Sequence, residues 1–406
     1  MLKALFIDFD SFFASVEQHQ HPKFRGKPLG VLPVMSDTST CIAASYEAKR
    51  YGVKTGTRVF EAREMCPDIR FIEAKHEVYV HYHHRLIEVI SECLPVETVL
   101  SIDEMWCRLP AHLSGVDEAY NMAQRIKARI AEEVSSWITC SIGVAENRWI
   151  AKVASKMNKP DGIKIIQPSE MPEALWELEL TDLHGIGKGM LERLAQRRIT
   201  TVQQLSLMPC ESLRKIWGGV EGVRFWQRMN GYEVPDKETS RGSFGHSHVL
   251  APENRVPHRA LAILHRLLQK GTMRLRSEKC VAGGVGLQLK FEGGLRWAEE
   301  VRLIPTDDTL KLTQCLQHLW RHRAYPDRVL LKVSVVLNRA VTKEGSTPTL
   351  FKWEQQPKHE RLMQALDQVA LKHGKKALYL GGAHGAMETA KMKISFNHVP
   401  NPELEM

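Results

Sequence analysis

Two apolar runs in this chain open directly onto carboxylates. One is Leu5-Phe6-Ile7-Asp8-Phe9-Asp10, and the other is Val99-Leu100-Ser101-Ile102-Asp103-Glu104. A run of this kind reads as a buried strand whose end carries a site. Two such strands side by side would bring Asp8, Asp103 and Glu104 within reach of one pair of hard cations. Carboxylates suit Mg²⁺, which completes its shell with water and substrate phosphates. Two ions ~3.5–4 Å apart clamp the attacking and leaving oxygens of an in-line phosphoryl displacement. A single strand ending in Asp is more often structural, so the weight lies on the two clusters together and on the rest of the chain.

Three further groups could carry chemistry. Gly185-Ile186-Gly187, preceded by Leu183 and followed by Lys188, would bring backbone N–H groups to a helix N-terminus. There they could hold a DNA phosphate without reading sequence, as in a helix-hairpin-helix element; the alternative is an ordinary helix–helix turn. Arg266, Lys270, Arg274, Arg276 and Lys279 line one helix and its exit, either as a solvated face or as a track for a phosphate backbone. His76, His81, His83 and His84 crowd another helix, but no cysteine or carboxylate stands at a metal-ligand spacing, so a chance cluster is the simpler reading.

The elements that must position these residues alternate. Strands are expected at 2–9, 30–32, 98–102, 138–144 and 162–166, and helices at 11–19, 41–51, 58–65, 77–94, 116–135 and 148–158. That order makes a mixed α/β sheet domain with a small insertion at 11–74. Residues 169–232 read as all-helical. From 243 the pattern is strand, helix, two strands, helix, strand, a separate β-α-β-β-α-β domain, reached through a polar linker at 232–242. One clear helix (358–373) follows. At 406 residues and 43% hydrophobic content the chain holds several cores, and its formal charge of +9 points to an anionic partner such as nucleic acid. Eight scattered cysteines without a CxxC pair indicate reduced thiols in a cytosolic protein, neither a zinc module nor a disulfide framework. The N-terminus shows no signal-like segment, and no apolar stretch is long enough to span a bilayer.

At these residues the chain resembles the Y-family, translesion DNA polymerases over about 1–345. Asp8-Phe9-Asp10-Ser11-Phe12-Phe13 is similar to the family's first metal motif and Ser101-Ile102-Asp103-Glu104 to its second. Tyr46-Glu47-Ala48-Lys49-Arg50-Tyr51-Gly52-Val53 resembles its fingers motif, and Ser141 to Ala145 with Lys156 to Gly162 resembles the end of its palm. The resemblance implies a right-hand polymerase of mixed α/β (α+β) class: a ferredoxin-like palm (1–9 and 75–165), small fingers (10–74), a helical thumb with a helix-hairpin-helix (166–232), a linker (233–242), an α/β little finger (243–342) and a C-terminal tail (343–406).

It also implies roles. Asp8, Asp103 and Glu104, with the Phe9 carbonyl, would hold two Mg²⁺ ions. Phe13, beside Phe12, falls where the family places an aromatic steric gate against a ribose 2′-OH; its other reading is core packing. Tyr46, Lys49 or Arg50, and Lys159 would hold the incoming triphosphate, while Gly185, Gly187, Lys188, Arg274 and Arg276 would touch DNA. Lys49 stands where many members carry Arg, and Ala43 where a hydroxyl is frequent, which brings the chain nearer the UmuC-type branch than the DinB-type (polymerase IV) branch, without separating them. His359 to Asp367 resembles the UmuC-type tail. Thr347 to Phe351 resembles a degenerate sliding-clamp peptide; Gln204 to Met208 matches one better as a string but lies in the helical domain, where its leucines read as core.

The expected function is low-fidelity, DNA-templated synthesis across damaged template in a DNA-damage (SOS) response, without a proofreading domain. The enzyme is expected to be a cytoplasmic monomer, nucleoid-associated when active, working on primer–template DNA and dNTP with a sliding clamp and a UmuD-type subunit as partners. The alternatives are a non-catalytic scaffold of a mutagenesis complex and another palm enzyme such as a nucleotide cyclase. The intact carboxylate set argues against the first; the Gly-x-Gly turn, the basic domain and Lys159-Pro160 argue against the second.

Overall fold

The computed structural model describes residues 1–235, 241–346, 356–374 and 377–389. It divides into two compact units, the first over 1–32 and 40–235, the second centred on 241–389. Among the described residues no helix is long and apolar enough to cross a membrane.

The first unit begins with β1 (Ala4–Phe9) and α1 (Phe12–Gln20). Next come β2 (Leu29–Leu32), β3 (Ala43–Ala44), α2 (Tyr46–Lys49), α3 (Val59–Met65) and β4 (Arg70–Glu73), then α4 (His76–Cys93), β5 (Val96–Val99) and β6 (Glu104–Arg108). The unit continues through α5 (Val116–Glu133), β7 (Cys140–Ala145), α6 (Arg148–Met157) and β8 (Ile163–Ile165), and closes with α7 (Lys188–Ala195), α8 (Val202–Ser206), α9 (Cys210–Trp217) and α10 (Val220–Met229). Its main sheet runs β5-β6-β1-β7-β8, with the fully buried β1 in the centre. Ala4 and Phe6 of β1 join Trp106, Trp149 and the inner residues of α7–α10 in one core. Gly143 of β7 lets α6 approach: a Cβ there would fall 2.0 Å from the Ala151 carbonyl oxygen.

Two local expectations need correction, and one strand adds to them. The strand expected at 98–102 ends at Val99; Leu100 and Ser101 donate their N–H groups to the Glu104 carbonyl, so 100–103 is a hairpin turn and Glu104 opens the next strand. The helix expected over 41–51 shrinks to the single turn α2, because Ala43 and Ala44 pair with β2 and Ser45 caps the turn by accepting from the Ala48 N–H. Gly52 does end that turn, at φ +88°. A strand at 70–73 went unread; it pairs parallel with β2, and its burial pattern carries no alternation to betray it.

In the second unit β9 (Ser243–Val249), α11 (Pro257–Ser277), β10 (Cys280–Phe291), β11 (Arg296–Thr306), α12 (Thr309–Arg321) and β12 (Leu330–Thr342) follow the expected order. The antiparallel sheet runs β11-β10-β12-β9, with the core between it and α11 and α12. Past this sheet come α13 (Gln356–His373) and a 3-10 helix at Gly381–Ala386.

Gly143→Val should lower stability by about 3 kcal/mol or more, since backbone rather than a flexible side chain fills the space. Thermal melting of the variant checks this, and an unchanged melting temperature would contradict the packing of α6 on β7.

Candidate active site

Antiparallel register does the first part of the assembly. Asp8 stands opposite Glu104 on β6 and opposite Ser141 on β7. The Phe9 N–H donates to the Asp103 carbonyl at 2.9 Å, which ties the hairpin turn to the end of β1. His83 of α4 fixes the same turn from behind, its ring Nδ1 2.8 Å from the Ile102 carbonyl. Burial pushes His83 down to about 4, so it is neutral at pH 7. The histidine cluster thus contributes a structural anchor.

The carboxylates crowd one another. Burial raises Asp8 to about 6; Lys159 pulls it down, while Asp103 and Glu104 push it up. Burial also raises Asp103, opposed by the Ser101 hydroxyl, which donates to it at 2.6 Å. Lys159 Nζ sits 2.5 Å from Asp8 and Lys152 Nζ 2.8 Å from Glu104. Among the described residues no three His, Cys, Asp or Glu side chains close into a ready metal-binding group; each acid here is engaged by its own lysine or hydroxyl. The donor set nevertheless fits hard divalent cations, because the oxygen ligands are clustered, partly desolvated and mutually repelling.

The nucleotide candidates gather on the same side. The Tyr46 hydroxyl donates to Asp10 at 3.2 Å, and Lys49 Nζ lies 4.3 Å over the Tyr46 ring. Lys49 shares the field of Lys159, Asp10 and Asp8, whereas Arg50 is the residue that caps α2 beyond it. Phe12 is buried and Phe13 half-buried. The Phe13 ring stacks on Tyr79 at 4.4 Å and 14°, and the fully buried Tyr79 donates its hydroxyl to Glu17 at 2.8 Å.

A family model described as impB/mucB/samB matches residues 7–156, and the model of that family's C-terminal domain matches 241–349. The chain is 32% identical to DNA polymerase IV of Moorella thermoacetica over 384 residues, covering 92% of this chain and 94% of that protein. It is 27% identical to DNA polymerase IV 1 of Bacillus subtilis over 399 residues, covering 96% and 95%. The chain belongs to the impB/mucB/samB family of Y-family DNA polymerases. The fold agrees: a Y-family DNA polymerase chimera superposes with a TM-score of 0.70 at 24% identity, covering 84% of this chain and all of that one. DinB from Sulfolobus solfataricus gives 0.54 at 23% identity with the same coverage. Both bacterial relatives bear the polymerase IV name.

For a Y-family member the DNA-facing residues matter next. Leu183 and Ile186 are buried while Gly185, Gly187 and Lys188 are exposed, so the turn presents backbone to solvent. Gly185 has φ +104°, and a Cβ on Gly187 would meet nothing. In the second unit Arg276, expected at the DNA, is engaged within the protein. Its guanidinium binds both oxygens of Asp367 at 2.6 and 2.8 Å and also the Asp307 carbonyl, so it fastens α13 to α11. Arg266 is buried, and Arg274 pairs with Glu278 at 3.6 Å. Arg266 and Arg276 are covered because α13 and the segment after it pack on α11, a contact no local pattern announces, whereas Lys279 stays exposed.

Reading the sequence missed two features. Asp10 is the most connected carboxylate of the site, and its only signal was its place in the first motif. The other lies on the second sheet, where register sets Arg296, Lys290 and Lys332 directly side by side on three strands. Like charges in such a row repel, which a polyanion would relieve. Lys290→Ala should therefore leave stability unchanged or slightly raised while weakening DNA binding and lowering the salt slope by about 1. Titrations across a salt series check this; an unchanged slope would remove the row from the DNA interface.

Proposed function

We propose that this chain is a DNA-templated DNA polymerase that extends primers across damaged template. The observation that carries this reading is the convergence of Asp8, Asp103 and Glu104 at one end of the β1–β6 pair, with Lys159 against Asp8 and Lys49 and Tyr46 close by. Asp8, Asp103, Glu104 and the Phe9 carbonyl would hold two Mg²⁺ ions, which when bound activate the primer 3′-OH and stabilise the charge on the triphosphate. The residues do the rest. Lys152 orients Glu104 through its ion pair, and Lys159 and Lys49 bring positive charge to the incoming phosphates. Tyr46 donates a hydroxyl on the same side, and Lys49 takes precedence over Arg50 because it shares the field of Asp8 and Lys159.

Phe13, held flat against Tyr79, would close the space that a ribose 2′-OH needs. Supporting features of the domain assignment are the five-stranded sheet for the palm (1–9 and 75–165), the three-stranded β3-β2-β4 sheet for the fingers (10–74), α7–α10 for the thumb (166–232) and the second sheet for the little finger (243–342). In the first unit Gly185, Gly187 and Lys188 would touch primer–template, and in the second unit the Arg296, Lys290 and Lys332 row would. A sliding clamp and a UmuD-type subunit belong to the same reading, in a cytoplasmic, nucleoid-associated setting. The clamp-peptide candidate at 347–351 lies outside the described residues, as does the end of the tail. The rival string at 204–208 begins inside α8, with Leu205 buried in the core; Leu207, expected in the core, is 68% exposed.

Purified protein with Mg²⁺ and dNTPs should extend a primer on both an undamaged and an abasic template. DNA binding without extension would favour the scaffold reading. Phe13→Ala should raise ribonucleotide incorporation by about a hundredfold or more, as lost steric discrimination of a few kcal/mol allows; unchanged sugar selection in single-nucleotide assays would leave Phe13 as core packing alone.

A further inference from the structure

Asp10 differs from the other acids of the site. Asp8, Asp103 and Glu104 lie at the metal-binding end, whereas both oxygens of Asp10 are surrounded by donors. Tyr46 donates its hydroxyl to Oδ1 at 3.2 Å, Ser141 donates at 2.9 and 3.1 Å, and Thr139 donates at 3.3 Å. The Asp161 backbone N–H donates to Oδ2 at 2.8 Å, and Lys159 Nζ stands 3.6 Å from Oδ1. The side chain is 1% exposed. Its own backbone is pinned as well: its N–H donates to the Thr139 carbonyl at 2.9 Å and its carbonyl accepts from the Ser15 hydroxyl at 2.6 Å.

These partners come from four places in the chain: helix α1, helix α2, the start of β7 with the residue before it, and the 159–161 turn after α6. Apart from Asp10, nothing described joins Tyr46 to that turn by hydrogen bonds. We infer that Asp10 is a positioning residue that locks Tyr46 and Lys159 into one arrangement, so that the two triphosphate contacts are presented as a unit. The inference rests on the nucleotide roles proposed above for Tyr46 and Lys159. A carboxylate suits the task because it is acceptor-only, with about four lone-pair sites. Lys159 on the Oδ1 side and the Asp161 N–H on the Oδ2 side can only donate, so an amide in its place would turn an N–H₂ group against one of them. A group acting this way costs little in chemistry once the nucleotide is seated and much in nucleotide affinity, because preorganisation is lost before binding.

The test uses the full chain on a primer ended by a dideoxynucleotide, so that nucleotide binds without turnover. Asp10→Asn should raise the dNTP dissociation constant about tenfold or more, the scale of a hydrogen bond to a charged group. A double-mutant cycle with Tyr46→Phe should be strongly non-additive, because the first change already frees Tyr46. In the nucleotide-free protein, amide exchange should rise together in residues 44–50 and 158–163. Ser141→Ala, which removes one donor and leaves the acid in place, should shift both readouts the same way by less, and it serves if Asp10→Asn does not fold. If Tyr46→Phe and Lys159→Ala weaken dNTP binding while Asp10→Asn and Ser141→Ala do not, the positioning role is overturned and the nucleotide reading stands. If Tyr46→Phe and Lys159→Ala also leave affinity unchanged, the nucleotide reading fails and this inference falls with it.

Discussion

Negative charge packed at the end of a buried central strand is the constraint around which the first unit is organised. Asp8 and Asp10 are 7% and 1% exposed, and an isolated carboxylate at such a depth would neutralise rather than stay charged. The chain answers with fixed partners. Lys159 serves Asp8, Lys152 serves Glu104 and Ser101 serves Asp103, while Asp10 collects hydroxyl and backbone donors. Those partners sit on four different segments, so the acids determine how β7, α6 and the turn after it must lie against β1. A cluster of this kind is a poor way to stabilise a fold and a good way to hold divalent cations, which in turn can carry a polyphosphate.

The same logic extends outward. The hairpin turn that carries Asp103 is held by the neutral imidazole of His83 on one side and by the Phe9 N–H on the other. Phe13 leans on Tyr79, which is buried and fixed by Glu17. The Asp103 turn and the Phe13 ring are thus each backed by buried neighbours that are themselves hydrogen-bonded. Such support lets an open site keep its geometry. In the second unit the corresponding device is Arg276, whose fork on Asp367 holds α13 in place.

Much of this was legible in the sequence. Asp8, Asp103 and Glu104 could be singled out because apolar runs ended in acids, and the strand–helix order of the second unit followed from its periodicity. What could not be read depended on contacts distant in the chain. Ala43 and Ala44 look helical by propensity, yet the open edge of β2 draws them into a strand. Arg276 looks like part of a DNA-facing stripe until α13 is seen across it. Asp10 looked like a neighbour of the metal motif, and only the folded chain brings Tyr46, Ser141 and Asp161 to its oxygens. The cationic row Arg296, Lys290 and Lys332 is a matter of strand register, which spacing along one strand does not reveal.

The most direct test of this account is single-turnover nucleotide incorporation by Asp103→Ala, with primer–template affinity measured on the same preparation. Incorporation should fall by about a hundredfold to a thousandfold, the scale seen when a preorganised charge contact is removed from a reacting centre, while DNA affinity stays within about twofold, because the DNA-facing residues lie elsewhere. Incorporation within about tenfold of the unaltered protein, too small a loss for a group at the reacting centre, would contradict the assignment of the carboxylate cluster as the catalytic centre.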